Sequence, residues 1–145
     1  MTGFALEAVC RAPAIEVFKI LHDPSRIPEW WAGVERVEAG PDGTVTRYTR
    51  EWPDFAYPTA VAEPGPVPIG RAGGQLAEGG VVRISCLLSD IVHEWTLAPH
   101  PEGCEIRVRV ELPEEEAGRV DDQRREVGGS LAGLVALAER GPADA

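Results

Sequence analysis

The stretch VVRISCLLSDIVHEWTLAPHPEGCEIRVRVEL, residues 81–112, alternates apolar and polar side chains along most of its length. Alternation with a period of two is typical of antiparallel strands that bury one face and expose the other. The pattern predicts strands at 81–88, 91–98 and 104–112. In the last strand the predicted inward positions are Cys104, Ile106, Val108, Val110 and Leu112.

Ser89 and Asp90 separate the first two of these strands. As a two-residue hairpin turn they would pair Cys86 with His93, and the other facing pairs would be Leu88 with Ile91, Ile84 with Trp95, and Val82 with Leu97. All of these pairs would share the inner face of the sheet. This register predicts that Cys86 and His93 are neighbours inside the protein.

The N-terminal part predicts a strand, two short helices and a hairpin. Residues 4–10 alternate as a strand does. After Ala12-Pro13, apolar residues recur at helical spacing, and Asp23-Pro24 can begin a second short helix. Residues 34–38 and 44–51 are predicted as the next two strands.

Residues 53–80 are rich in helix- and strand-breaking residues, with five prolines and six glycines among 28 positions. Proline cannot donate a backbone hydrogen bond and is therefore excluded from central strands. We predict short edge strands and loops in this segment.

The C-terminal part predicts one long helix. Pro113 followed by three glutamates is typical of a helix start, where acidic side chains interact favourably with the helix dipole. Its predicted apolar face, which should pack on the sheet, consists of Val120, Val127, Leu131, Leu134 and Ala138. A stripe of small residues would admit a second helix and would allow a homodimer; it consists of Gly129, Ala132, Gly133 and Ala136.

Composition limits the classes of protein to which the chain can belong. Its 145 residues, 43% of them hydrophobic, suffice for one domain, which we place at 1–141 with a tail at 142–145. With a net charge of −10 and no basic stripe, it is a poor partner for nucleic acid or an anionic membrane. No apolar run is long enough for a membrane span, and three cysteines are too few for a secreted disulfide framework. We therefore expect a cytoplasmic protein.

The order of the predicted elements resembles the helix-grip fold of the START-related superfamily, also called birch-pollen-allergen-like or SRPBCC. The resemblance is carried by FALEAVCRAPAIEVFKILHDPSRIPEWWAGVERVE at 4–38, EWTLAPHPEGCEIRVRVEL at 94–112 and SLAGLVALAE at 130–139. Polyketide cyclase/dehydrase-like members and homologues of a heat-shock-protein ATPase activator are the most similar. The resemblance implies an α+β fold in which a curved antiparallel sheet of about six or seven strands wraps around the long C-terminal helix. It also implies a hydrophobic cavity between sheet and helix.

Several side chains are candidates for contact with a ligand in that cavity. The resemblance places Trp30 and Trp31 at the cavity mouth, and Tyr48 and Trp52 share a parity in the third strand. The predicted ligand-binding residues are Trp30, Tyr48, Trp52, Cys86, His93, Trp95, Val127 and Leu131. His93 is a weak candidate for a catalytic residue, as a proton-transferring group or as the base for a Cys86 thiolate.

Charged side chains and possible metal ligands suggest further kinds of site. Arg47 could hold a carboxylate or an enolate, whereas Arg83 shares the outward side with Glu94 and should form a surface ion pair. A metal site is not expected, because Cys104 falls ~13 Å from the position that faces His93. No nucleotide-binding motif is present, and we expect no cofactor.

The sequence therefore predicts a domain that binds a small hydrophobic molecule, lipid- or polyketide-like. Two alternatives stay open. One is an aromatase/cyclase-type enzyme in which His93 or a tyrosine assists by acid–base catalysis, and the other is a protein-interaction module of the chaperone-cofactor kind. Several polar groups inside the cavity would favour the enzyme, and an exposed docking strip would favour the interaction module.

Overall fold

One curved antiparallel sheet and a long C-terminal helix form the part of the chain that the computed structural model describes, residues 2–41, 44–62 and 80–140. The strands are β1 Thr2–Cys10, β2 Val34–Ala39, β3 Thr44–Thr49, β4 Tyr57–Ala62, β5 Val81–Cys86, β6 Val92–His100 and β7 Gly103–Leu112. The helices are α1 Ala14–Leu21, α2 Ile27–Trp30 and α3 Val120–Glu139, with 3₁₀ turns at Pro24–Arg26 and Glu114–Arg119.

The strand order is β1-β7-β6-β5-β4-β3-β2, so the first two strands of the chain form the two edges of the sheet. The segment with α1 and α2 connects these edges. Helix α3 packs on β1, α1 and α2. The apolar faces of the sheet and the helices enclose one core, in which Trp95, Leu97 and Leu134 are fully buried. The predicted α+β helix-grip fold, with two short helices after the first strand, is confirmed.

The short helices place two tryptophans at one end of the core. Asp23 Oδ1 accepts from the backbone N–H of Ser25 at 3.0 Å and so caps the 3₁₀ turn, as predicted. Pro28 lies in the first turn of α2, where its missing N–H costs no helical hydrogen bond. The helix ends at Trp30, and the Trp31 N–H closes it by donating to the Ile27 carbonyl at 2.9 Å.

The β5–β6 hairpin corrects the predicted register by two residues. Ile84 faces His93, because the connection is a four-residue turn at 87–90 and not Ser89-Asp90 alone. The Asp90 N–H donates to the Cys86 carbonyl at 2.8 Å, and Asp90 has φ 60°, a left-handed conformation that aspartate tolerates. A shift of two residues keeps each side chain on its predicted face, so His93 still faces the interior. Cys86 is diagonal to His93 and not opposite it.

The predicted loop segment at 53–80 contains a strand that is not at an edge. Strand β4 lies between β3 and β5, although it contains Pro58. Pro58 is the second residue of β4, so its missing donor falls where the strand begins, and its carbonyl still accepts from the Leu87 N–H at 2.9 Å. Residues 63–79 and the predicted C-terminal boundary at 141–142 lie outside the described residues.

Helix α3 buries the predicted apolar face together with two polar side chains. Alongside Val127, Leu131, Leu134 and Ala138, the helix buries Gln123 and Ser130. The Ser130 hydroxyl accepts from the backbone N–H of Ala32 at 3.0 Å, which joins α3 to the segment after α2. No helix in the described ranges is long and apolar enough to cross a membrane.

Two of the small residues of α3, Gly129 and Gly133, lie against α2 and the segment that follows it. A Cβ at Gly133 would be 2.8 Å from the carbonyl oxygen of Trp30, and one at Gly129 would be 3.4 Å from Cβ of Ala32. Close helix packing within the chain therefore explains these glycines, and they give no support to a homodimer.

Candidate functional site

An open cavity of about 780 Å³ lies between β3–β6 and the N-terminal half of α3. Pockets for small molecules commonly have volumes of about 300–1,000 Å³. The wall is mixed in character, because aliphatic, aromatic and polar side chains all contribute to it. The buried side chains on this wall include Trp31, Arg47, Ile84, Ile91, His93 and Gln123.

Trp31 contacts three polar side chains of the cavity wall, Glu126, His93 and Arg47. Its indole Nε1 donates to Oε2 of Glu126 at 2.6 Å, which fixes the orientation of the ring. The ring centroids of Trp31 and His93 lie 5.2 Å apart. The guanidinium carbon of Arg47 lies 4.3 Å from the centroid of the indole, in a cation–π arrangement. The indole therefore joins α3, β3 and β6 at one point.

Arg47 is a charged side chain on the cavity wall with only 7% of its surface exposed. Its Nε donates to Oγ1 of Thr59 at 2.8 Å. Burial lowers the pKa of Arg47 and the negative charge of Glu126 raises it, and an arginine so placed stays protonated at neutral pH. Within the described residues no carboxylate lies within 4.0 Å of its guanidinium. A buried cation is costly unless an anion compensates for its lost hydration.

His93 is buried and neutral. Its Nε2 lies 3.0 Å from Oε1 of Gln123. Burial lowers the pKa of His93, and so does the nearby charge of Arg47, while the hydrogen bond to Gln123 and the charge of Glu126 oppose this shift. Because an amide oxygen only accepts, this contact places the ring proton on Nε2 and leaves the lone pair on Nδ1.

Cys86 is half-buried at the end of β5, on the cavity wall. Burial raises the pKa of its thiol. Hydrogen bonding from Ser89 and from the backbone N–H groups of Leu88 and Ser89, together with the charge of Arg47, outweighs that effect and lowers the pKa below the ordinary value.

The rim of the cavity carries large apolar side chains among charged ones, which include Arg50, Glu51, Arg119 and Asp122. Trp52, Phe55 and Leu88 lie at its edge and are exposed to solvent, with 59% of the surface of Trp52 accessible. Phe55 packs edge-on against Tyr57 at 4.7 Å between ring centroids. Large exposed apolar side chains around an opening are a common feature of binding sites for hydrophobic molecules.

The structure brings three of the predicted ligand-binding residues to this cavity and separates the others from it. Trp52, Cys86 and His93 are on its wall or rim. The remaining predicted residues, Trp30, Tyr48, Trp95, Val127 and Leu131, are not.

Tyr48 lies on the outer face of β3, contrary to prediction. Its hydroxyl donates to Glu38 at 3.3 Å, and the Arg36 guanidinium carbon lies 3.7 Å from its ring centroid. The buried residues Val45 and Arg47 set the inward parity of β3, and Tyr48 has the opposite parity. The predicted orientation of Tyr48 was wrong because the inner face was assigned to the parity that Tyr48 shares with Trp52.

Trp30, Trp95, Val127 and Leu131 belong to the packed core and not to the cavity wall. The rings of Trp30 and Trp95 meet edge to face with centroids 5.3 Å apart. Two indoles fill the space between sheet and helices at this end, so the cavity is confined to the other end, beside the beginning of α3.

Gln123 and Glu126 belong to the site but were not predicted. Gln123 lies three residues after Val120 and four before Val127, on the predicted apolar face of the helix. A polar side chain on an apolar helix face was therefore a usable signal. Glu126 gave no such signal, because glutamates are frequent throughout this part of the sequence.

Two further predictions concern charge and metal. Arg83 forms the predicted ion pair with Glu94 on the outer face of the sheet, at 2.7 Å, so that prediction is confirmed. In the parts of the chain that the structure describes, no three His, Cys, Asp or Glu side chains are grouped to hold a metal ion.

We expect the stability of the protein to fall as the pH drops below the ordinary pKa of histidine, about 6.5, in a way that depends on His93. Burial holds the pKa of His93 below that of an unfolded histidine. The neutral ring therefore contributes stability above the unfolded pKa, and this contribution is lost as the pH falls towards the folded one. In His93→Gln the free energy of unfolding, measured by urea denaturation, should decrease less steeply as the pH falls. Equal slopes for the two proteins would contradict a buried neutral imidazole.

No family model and no curated protein matches the chain, whereas solved structures match its fold. The protein CV1439 from Chromobacterium violaceum aligns with a TM-score of 0.70 at 18% identity, over 96% of this chain and 99% of that one. Ara h 8.0201 aligns with a TM-score of 0.60 at 14% identity, over 97% and 99%. DynU16, a protein of the dynemicin biosynthetic locus, aligns with a TM-score of 0.62 at 17% identity, over 96% of this chain and 48% of that one. These alignments agree with the predicted helix-grip fold.

Proposed function

We propose that the protein binds a small, largely hydrophobic molecule, lipid- or polyketide-like, that carries an anionic or enolic oxygen. The observation that carries this proposal is the buried guanidinium of Arg47 on the wall of an open cavity whose rim includes large exposed apolar side chains. This ligand is the hydrophobic molecule predicted from the sequence, with an oxygen-bearing head group in addition.

The charge of Arg47 supports the anionic head group. Its Nε is used by Thr59, and no carboxylate of the described residues pairs with the rest of the guanidinium. A guanidinium presents a planar fork of donors that matches a carboxylate or an enolate. A ligand oxygen at this point would compensate the cation in the low-dielectric wall, where a charged hydrogen bond is strong.

The aromatic side chains support the hydrophobic body. Trp31 presents its ring beside Arg47, and Trp52, Phe55 and Tyr57 line the cavity towards its rim. Rigid aromatic rings supply contact area at a small cost in side-chain entropy. A flat, unsaturated molecule with its oxygen at Arg47 and its body towards the rim would use both features.

Arg47→Met tests this proposal with naphthoic acid and its methyl ester as probes. We expect the variant to bind the acid at least about tenfold more weakly, because a charged hydrogen bond is lost, and to bind the ester almost as wild type does. Affinities are measured by isothermal titration calorimetry. Since replacing a buried charge by an apolar side chain is often neutral or stabilising, the variant should keep its fold.

Arg83→Met is the matched control, because Arg83 is paired with Glu94 on the outer face of the sheet. It should bind both probes as wild type does. Wild-type protein that binds neither probe, or an Arg47→Met variant that loses acid and ester equally, would contradict recognition of an anionic head group.

A second candidate function, enzymatic proton transfer of the aromatase/cyclase kind, is favoured by the number of polar groups in the cavity. Nδ1 of His93 can accept a proton from carbon between two carbonyls, and Arg47 can stabilise the resulting enolate oxygen. Benzoylacetone tests this directly by NMR-detected deuterium exchange at its central carbon. Wild type should accelerate exchange and His93→Gln should not; equal rates would remove His93 from catalysis.

A further inference from the structure

The three cysteines of the chain lie in two different environments. Cys10 and Cys104 are opposite one another on β1 and β7, and both are fully buried. Burial raises the pKa of both thiols, that of Cys104 to about 12. Cys86 instead reaches the cavity, is half-buried, and has a lowered pKa. One thiol of the chain is therefore accessible and acidic, while the other two are shielded and unreactive.

The turn that joins β5 to β6 begins after Cys86. The Cys86 N–H donates to the Ile91 carbonyl at 2.9 Å, and the Asp90 N–H donates back to the Cys86 carbonyl at 2.8 Å. Hydrogen bonding from Leu88 and Ser89, both in this turn, lowers the pKa of the Cys86 thiol. Donors placed in this way stabilise a negative charge on sulfur.

Arg47 is the charge that faces this sulfur from the neighbouring part of the sheet. It is buried and lacks a carboxylate partner among the described residues, so an anion is expected beside it. His93 on β6 is neutral and adds no charge at physiological pH. Glu126 on α3 is the acidic side chain whose charge acts on Arg47 and His93, and it accepts from the Trp31 indole at 2.6 Å. The cavity wall also includes the carboxylates of Glu51, Glu116 and Asp122.

We propose that Cys86 covalently captures α,β-unsaturated carbonyl compounds that enter the cavity. The thiolate sulfur forms a bond to the β-carbon, and the π electrons of the C=C bond move to the carbonyl oxygen as an enolate. Arg47 lies where it can donate to that oxygen. A proton from water then ends on the α-carbon, so the addition consumes no oxidant and releases no leaving group. The inference rests on the proposed function only in requiring that the cavity admit a small molecule.

Benzylideneacetone is the probe, with benzylacetone, its saturated analogue, as the non-reactive control. Intact-mass spectrometry at neutral pH should show one adduct on wild type with benzylideneacetone and none with benzylacetone. Peptide mapping should place the adduct on Cys86, with Cys10 and Cys104 unmodified. Cys86→Ser should stay unmodified, and Cys86→Ala should do the same.

The rate of addition at neutral pH should exceed that of free glutathione. A lowered pKa raises the thiolate fraction by more than it reduces the intrinsic nucleophilicity of the thiolate. The pH midpoint of the wild-type rate should lie below that of glutathione, and Arg47→Met should move it upward. A wild-type midpoint at or above that of glutathione, or adducts on all three cysteines, would overturn the inference.

The same experiment separates failure of capture from failure of binding. If wild type gains no adduct while Cys86→Ser still binds naphthoic acid, covalent capture is overturned and the proposed binding function stands. Rapid labelling of Cys86 in a protein that binds no naphthoic acid supports the reactive thiol and contradicts the anionic ligand.

Discussion

Trp95→Ala should lower the free energy of unfolding by about 3–5 kcal/mol, the loss typical of a buried aromatic side chain truncated to alanine. Trp95 is 1% exposed on β6 and packs edge-on against Trp30, with ring centroids 5.3 Å apart. Neither indole nitrogen has a hydrogen-bond partner in the described part of the chain. The contribution of Trp95 is therefore apolar packing, and urea denaturation measures its loss.

Trp52→Ala is the matched control for that experiment. Trp52 is on the cavity rim, so its removal should change the free energy of unfolding by less than about 0.5 kcal/mol while weakening the binding of naphthoic acid. Trp95→Phe keeps an aromatic ring and removes an unpaired N–H, so it should cost less than Trp95→Ala. Wild-type stability with reduced ligand affinity in Trp95→Ala would instead return Trp95 to the ligand site predicted from the sequence.

The faces of the sheet could be predicted because the face on which a side chain lies depends only on whether its position in the strand is odd or even. The β5–β6 connection is longer than predicted, yet the error is an even number of residues, so Ile84 and His93 keep their inner face. Only the partner changes: His93 faces Ile84 and not Cys86. A turn of four residues containing a left-handed Asp90 cannot be distinguished from a two-residue turn by hydrophobic pattern.

In β3 the prediction chose the wrong parity for the inner face, because it placed the aromatic ring of Tyr48 in the cavity. Val45 and Arg47 alternate together and both are buried, whereas Tyr48 is outward. A buried arginine opposes the usual distribution of charge in proteins. This buried arginine lies on a cavity wall, and functional sites are where natural proteins most often depart from the usual placement of residue types.

The location of the cavity depends on how side-chain volumes add up across distant parts of the chain. Trp30 and Trp95 fill one end of the space between sheet and helices, while Arg47 and Gln123 border the end that stays open. These residues come from four different elements, and no local pattern indicates which end their volumes will fill. The helix residues Val127 and Leu131 were therefore assigned to a cavity that ends before it reaches them.

Gly133→Ala should lower the free energy of unfolding by about 1–3 kcal/mol, as overpacking of a close contact does. The new Cβ would lie 2.8 Å from the Trp30 carbonyl oxygen, a backbone atom that can move only together with α2. This strain exceeds the gain of about 1 kcal/mol in helix propensity from replacing glycine by alanine. Because Trp31 follows α2 directly, the displacement should also weaken naphthoic acid binding.

Gly128→Ala, five residues earlier on α3, isolates the effect of that contact. A Cβ at Gly128 meets only Cδ1 of Leu6 at 3.9 Å, an ordinary van der Waals distance. The variant should therefore gain about 0.5–1 kcal/mol from helix propensity and bind the ligand as wild type does. Urea denaturation and calorimetry on the two variants should give opposite signs for stability. If Gly133→Ala were as stabilising as Gly128→Ala, α2 and α3 would have to lie farther apart than the structure shows. The position of Trp31 would then not depend on close contact between the two helices.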